Sequence, residues 1–157
     1  MLSDEMTDKD IIIRNYRTSD YQATLEILKE LNELYDIGFN ENQWRESSGL
    51  RQFKPNLKRI TLIVELKSGE VVSMGVIEAQ KNTLGQYIGY LQNWATKKGF
   101  IGLGVGKLLA DRAIQILQSW GCDSIRIDLP YKTDKKLLDV FGKTGFHPIL
   151  TVLEKRF

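Results

Sequence analysis

The stretch Lys98-Gly-Phe-Ile-Gly-Leu-Gly-Val-Gly-Lys107 decides the reading of this chain, because a helix begins inside it. Gly99, Gly102, Gly104 and Gly106 crowd the entry. Beyond them, Val105, Leu108, Leu109, Ala113, Ile116, Leu117 and Trp120 recur at helical spacing. Just upstream, Tyr87-Ile-Gly-Tyr-Leu-Gln-Asn-Trp-Ala-Thr96 reads as a strand. Strand, glycine loop and helix together make an anion site. Glycines let the backbone turn its N–H groups outward with no Cβ in the way, and the open N–H groups and dipole of the first helical turn favour negative charge.

Spacing separates the known phosphate loops. A Walker A loop needs Gly, four residues, then Gly-Lys-Ser/Thr. Gly106-Lys107 fits the end of that pattern, but Ile101 stands at its first glycine and Leu108 at its magnesium-binding hydroxyl. A dinucleotide fingerprint needs Gly-x-Gly-x-x-Gly in the first βα unit. Gly102-x-Gly104-x-Gly106 has another spacing, and this strand lies late in the chain. Plain packing of a helix close to a strand also uses glycine, but four glycines in eight residues exceed what packing needs.

Around this loop the chain reads as one domain, long enough to bury a core. Its 22 basic and 20 acidic residues leave a net charge of +2, which gives no argument for nucleic acid. Lys97, Lys98 and Lys107 flank the loop, and Lys132, Lys135 and Lys136 precede the last helix. They are either a field for a polyanion or two solvated helix ends. The single cysteine, Cys122, rules out an intramolecular disulfide and reads as a buried, inert thiol. The single histidine, His147, leaves no metal-ligand spacing and no base for a Ser or Cys nucleophile. No apolar run reaches transmembrane length and no signal peptide is recognisable, so a cytoplasmic protein is expected. Residues 1–8 are polar and are expected to form a mobile tail.

The elements follow from periodicity and punctuation. Residues 11–17 form a strand. Ser19 or Asp20 caps a helix whose apolar face is Leu25, Ile27, Leu28, Leu31 and Leu34, broken by Gly38. Asn42–Phe53 reads as a weaker helix ended by Pro55. Arg59–Leu66 and Glu70–Gln80 are strands joined at Lys67-Ser-Gly69, and Leu84–Thr96 is the next. The helix after the loop runs to Trp120, with Gly121 at its C′ position. Ser124–Leu129 alternates as a strand. Thr133 or Asp134 caps a last helix with Leu137, Leu138 and Phe141 inward, and Phe146–Lys155 is a final strand. The order β-α-α-β-β-β-α-β-α-β predicts an α/β (α+β) fold, a mixed sheet with helices on both faces.

Ile101-Gly-Leu-Gly104-Val-Gly106 resembles the acyl-CoA pyrophosphate loop of the GNAT N-acetyltransferase superfamily, Arg/Gln-x-x-Gly-x-Gly/Ala, matching both glycines and departing at the first residue. Ile11-Ile-Ile-Arg-Asn-Tyr-Arg-Thr-Ser-Asp20 looks like that family's opening strand and cap. Phe141-Gly-Lys-Thr-Gly145-Phe146 looks like its Tyr-x-x-x-Gly-Phe signature with Phe in place of Tyr. The resemblance covers residues 11–157. It implies a mostly antiparallel GNAT-like sheet, acetyl-CoA as co-substrate, and direct attack of an amine on the thioester. The backbone of Trp94, Ala95 and Thr96 would hold the pantetheine, and Ile101, Gly102, Leu103, Gly104, Val105, Gly106 and Lys107 the pyrophosphate. Asp134 stands where the family has an Asn near the pantetheine. Only about a dozen residues follow Gly145, so the two-stranded ending of the family is short or incomplete and the acceptor side should be open.

The proton-transfer groups do not carry over. Phe141 cannot donate a proton. Leu84–Thr96 holds no Asp or Glu; Gln92 and Asn93 stand where a base is expected. Glu78, Tyr90 and Tyr131 are the remaining candidates, with ordinary alternatives as a solvated strand face, a core aromatic and a loop residue. The resemblance therefore implies an N-acetyltransferase acting on a small-molecule or protein amine, with a second copy of the chain as a further expected partner and neither nucleic acid nor membrane. The rival readings are a GNAT-fold acyl-CoA-binding module with little catalysis and a binder of another nucleotide.

Overall fold

The structure, a computed structural model, describes residues 5–47 and 57–157. Five strands lie side by side in chain order: β1 (Ile11–Asn15), β2 (Arg59–Leu66), β3 (Val71–Lys81), β4 (Tyr87–Thr96) and β5 (Ser124–Ile127). The first four are antiparallel and β5 runs parallel to β4. The β2–β3 hairpin closes at the expected Lys67-Ser-Gly69, with the Gly69 N–H donating to the Leu66 carbonyl at 2.8 Å.

Two helices cover the two faces. α1 (Tyr21–Tyr35) buries Thr24, Leu25, Ile27 and Leu28, and Ile27 and Leu28 pack on Ile63, Met74 and Ala95. Removing a side chain such as Ile27 or Leu28 from water contributes about 1.5–3 kcal/mol each. α3 (Val105–Ser119) buries Val105, Leu109, Ala110, Ala113 and Leu117; of these, all but Ala110 join the opposite cluster, with Leu62, Val64, Ile77 and Leu91. Gly89 admits this packing, since a Cβ there would lie 2.8 Å from the Leu117 side chain. The short α2 (Glu41–Glu46) is capped by Asn40, whose side chain accepts from the Gln43 N–H at 3.1 Å. The expected continuation of this helix past residue 47 lies outside the described residues.

Three local expectations are corrected. Asp20 precedes α1 but does not cap it. Its carboxylate instead accepts from the Arg17 N–H at 2.7 Å and from both terminal nitrogens of Arg14, at 2.7 and 2.8 Å. Burial alone would raise its pKa; the Arg14 and Arg17 bonds outweigh that and hold it below the usual 3.8. α1 stops at Tyr35 because Asp36 turns left-handed (φ +48), two residues before Gly38.

The third correction concerns the end of the chain. α4 (Lys135–Lys143) forms, but it buries no residue, and Phe146–Lys155 forms no strand. Pro148 has no N–H for a ladder. Residues 149–157 are exposed, and the segment is fastened near its end where Arg156 Nη1 meets Asp36 Oδ2 at 3.2 Å. Among the described residues the sheet therefore ends at β5.

Candidate functional site

The glycine loop does what its sequence requires. Gly102 and Gly104 take φ of +84° and +82°, where a side chain is strained. Gly104 is the N-cap of α3, and among the described residues no side chain caps it. The first intrahelical bond runs from the Leu108 N–H to the Gly104 carbonyl at 3.1 Å. A fifteen-residue helix thus presents its open N–H groups and positive dipole end at the glycine loop. Of the flanking lysines, Lys97 pairs with Glu70 at 2.8 Å and Lys107 with Asp111 at 3.1 Å, both exposed pairs that hold their charge loosely.

Two elements dock under the loop. Met6 donates its N–H to the Leu103 carbonyl at 2.8 Å and packs against the α3-side core. This places Glu5 over the loop, its carboxylate Oε2 3.8 Å from where a Cβ on Gly104 would be. Residues 1–4 of the expected tail lie outside the described residues. From β4, Trp94 donates its indole N–H to the Gly106 carbonyl at 3.3 Å.

β4 carries the decisive irregularity. Met74 faces Ala95 and Val76 faces Gln92, so Gly75 alone opposes Asn93 and Trp94. This is a β-bulge. Asn93 takes φ +54°, a left-handed conformation that Asn tolerates better than most residues. Gly75 is required because the Trp94 ring lies across it; a Cβ there would be 2.2 Å from the ring. β4 pairs with β5 from Ile88 opposite Ser124 as far as Leu91 opposite Ile127. From Gln92 to Thr96 its outer edge is therefore open among the described residues, leading from the bulge to the glycine loop. Ala95 is buried and Thr96 Oγ1 lies 3.0 Å from Ser73 Oγ, so the side chains of that edge are fixed.

On the α1 face, two adjoining hollows of about 420 and 230 Å³ share Trp44, Ser47 and Asn93. The first is otherwise walled by Phe39, Asn40 and Gln43, the second by Arg59, Glu78 and Gln92. Glu78 is thus in a cavity beside the bulge. Its carboxylate accepts from Arg59 at 2.9 Å. Register places Arg59, Glu78, Tyr90 and Arg126 in one row across four strands.

The remaining sequence candidates stand elsewhere. Tyr131 is fully exposed at 101 %. Asp134 caps α4, accepting from the Lys136 N–H at 2.9 Å. Phe141 packs edge-on against Phe146, ring centroids 5.5 Å apart. Sequence reasoning missed the walls from the α1–α2 segment and the role of Asn93. The available signal was an Asn-Trp pair inside a β run, where the polar residue breaks the alternation.

Similarity to known proteins agrees with this geometry. The sequence model of the Acetyltransferase (GNAT) family matches residues 24–146. No curated protein matches the sequence. Among solved structures, an acetyltransferase of Trypanosoma brucei superposes with a TM-score of 0.72 at 20 % identity, covering 94 % of this chain and 100 % of its own. The glucosamine-6-phosphate N-acetyltransferase of Arabidopsis thaliana gives 0.71 at 16 % identity, covering 94 % and 98 %. An aminoglycoside acetyltransferase from an uncultured soil sample gives 0.67 at 12 % identity, covering 96 % and 97 %. The open β4 edge and the glycine loop that opens α3 both lie within the matched residues. The chain belongs to the acetyltransferase (GNAT) family and is an N-acetyltransferase by that membership.

Proposed function

We propose that this chain transfers an acetyl group from acetyl-CoA to a primary amine held in the cavity beside Asn93. The observation that supports it most is continuity. The open N–H groups of α3, the free edge of β4 and the Glu78 cavity lie in one path.

The residues fit a CoA-type ligand. The first-turn N–H groups from Val105 to Lys107 and the loop from Ile101 to Gly104 would hold the pyrophosphate, with room that a Cβ at Gly102 would not itself contest. The backbone of Trp94 to Thr96 would hold the pantetheine as an added strand. Acetyl-CoA supplies an activated acetyl group. The protein's part is orientation and proton handling. From the cavity wall the Glu78 carboxyl group would face the amine and take its proton directly or through water. Arg59 holds that carboxylate in place. Tyr90, next in the row, is the nearest phenol on the same register line. With Phe141 where the resemblance puts a phenol, that residue gives no proton to the leaving thiolate, which takes one from solvent.

Calorimetric titration with CoA and with ATP tests the ligand. CoA binding that ATP fails to displace, and that Gly104→Val weakens at least about tenfold, or 1.4 kcal/mol, supports the reading. Equal CoA affinity in the variant removes the loop from the site.

A further inference from the structure

Two half-buried side chains beside the Glu78 cavity lack partners, and both are hydrogen-bond donors. The sheet face that α1 covers runs in rows across the strands. Ile63, Met74 and Ala95 make the row under α1. Four residues along β2 and β3 from the first two stand Arg59 and Glu78, and an even spacing keeps them on that face. Register carries their row on to Tyr90 in β4 and Arg126 in β5.

Three arginines are half-buried among the described residues. Arg14 bonds to Asp20 and Glu65, and Arg59 to Glu78. Arg126, the third, makes no ion pair or hydrogen bond among the described residues. The hydroxyl of Tyr90, opposite it, likewise has no partner there. Residues 48–56, outside the described ones, contain no Asp or Glu. A half-buried charge without an acceptor is costly, and the planar fork of a guanidinium matches a carboxylate or a phosphate. The phenol beside it adds one more donor to the same acceptor.

We propose that Arg126, with Tyr90, binds an acidic group of the acceptor, so that the substrate is an amine bearing a carboxylate or a phosphate. This inference rests on the acetyl-transfer reading. Glu78 faces the amine end. Two strand spacings, about 10 Å at the backbone, separate Glu78 from Arg126. One small molecule thus meets both along a single row. The row also sets its direction, because an amine turned the other way would face a guanidinium.

Steady-state acetylation of matched amines tests it. The pairs are a dipeptide with its C-terminal amide, and an amino-sugar phosphate with the free amino sugar. In at least one pair the acidic member should exceed its neutral partner at least tenfold in kcat/KM, and that pair names the oxyanion. Arg126→Gln should abolish the preference by raising KM for the acidic member. Arg126→Lys should keep part of it, since the charge stays and the fork is lost, and Tyr90→Phe should reduce it. Equal kcat/KM within both pairs, or a preference that Arg126→Gln leaves intact, overturns the proposal while acetyl transfer stands. So does a loss in Arg126→Gln that falls on KM for acetyl-CoA instead, which would put the guanidinium on the co-substrate. Transfer to no amine at all overturns the acetyl-transfer reading and this one with it.

Discussion

Substituting Gly75 by alanine should strike the bulge that shapes the site. The added Cβ would stand 2.2 Å from Cε3 and 2.3 Å from Cζ3 of Trp94, where contacts below 3.0 Å are not tolerated. The ring cannot simply swing away, because its N–H is bonded to the Gly106 carbonyl in the first turn of α3. Forcing extra volume into a packed site costs about 1–3 kcal/mol, and an approach this short belongs at the upper end. For a domain of this size, about 3 kcal/mol lowers Tm by roughly 6–12 °C. Because the displaced ring carries the α3 turn with it, CoA affinity should fall together with stability. Thermal unfolding by circular dichroism, on a two-by-two set with Trp94→Ala, isolates the cause. In the Trp94→Ala background the clash partner is gone, and Gly75→Ala should cost under about 1 kcal/mol, a clear departure from additivity. An equal Tm loss in both backgrounds would refute the reasoning.

Three further outcomes follow from the same structure. Asp20→Asn leaves the half-buried Arg14 with Glu65, at 3.1 Å, as its one carboxylate beside the Asn15 carbonyl at 3.0 Å, and should cost about 3 kcal/mol; because the folded pKa of Asp20 is depressed, this difference is full at neutral pH and shrinks as pH falls through and below 3.8, which urea titrations across pH will read. Glu78→Gln should lower kcat/KM for amine acetylation roughly a hundredfold and flatten the ascending limb of its pH profile, while Tyr90→Phe should change it less; unchanged profiles in both would leave the proton to solvent. Glu5→Gln removes a carboxylate over the anion loop and should tighten CoA binding about fivefold, near 1 kcal/mol for charges about 4 Å apart in a water-like dielectric, an effect that salt should erase; unchanged affinity in low-salt calorimetry would contradict it.

Much of the framework was legible in the residues. α3 and its loop follow from four glycines before a 3.6-residue apolar stripe, and β2 to β4 from alternation and the Lys67-Ser-Gly69 turn. The sequence was opaque where a residue's role depends on distant partners. Asp20 looks like a cap until Arg14, fixed by the β1–β2 register beside Glu65, claims its carboxylate. Asn93 and Trp94 read as site residues on a regular strand, because a bulge is visible only against the opposing strand at Gly75. Residues 146–155 have the composition of a strand, but a strand exists only where an edge receives it, and composition does not name the edge. The cavity joins side chains from α2, β2, β3 and β4, a convergence set by the fold alone.

The central claim is acetyl transfer to an amine. It is tested most directly by incubating the protein with acetyl-CoA labelled in the acetyl group and a panel of amines. The panel comprises a polyamine, an aminoglycoside, an amino-sugar phosphate, and peptides with a free lysine or N-terminus. Free thiol is followed continuously and products are weighed by mass spectrometry. Thiol release should require both protein and one class of amine, with the label recovered on nitrogen and the rate lowered by Glu78→Gln. Tight CoA binding with no labelled product from any amine would contradict it and leave a GNAT-fold acyl-CoA-binding module.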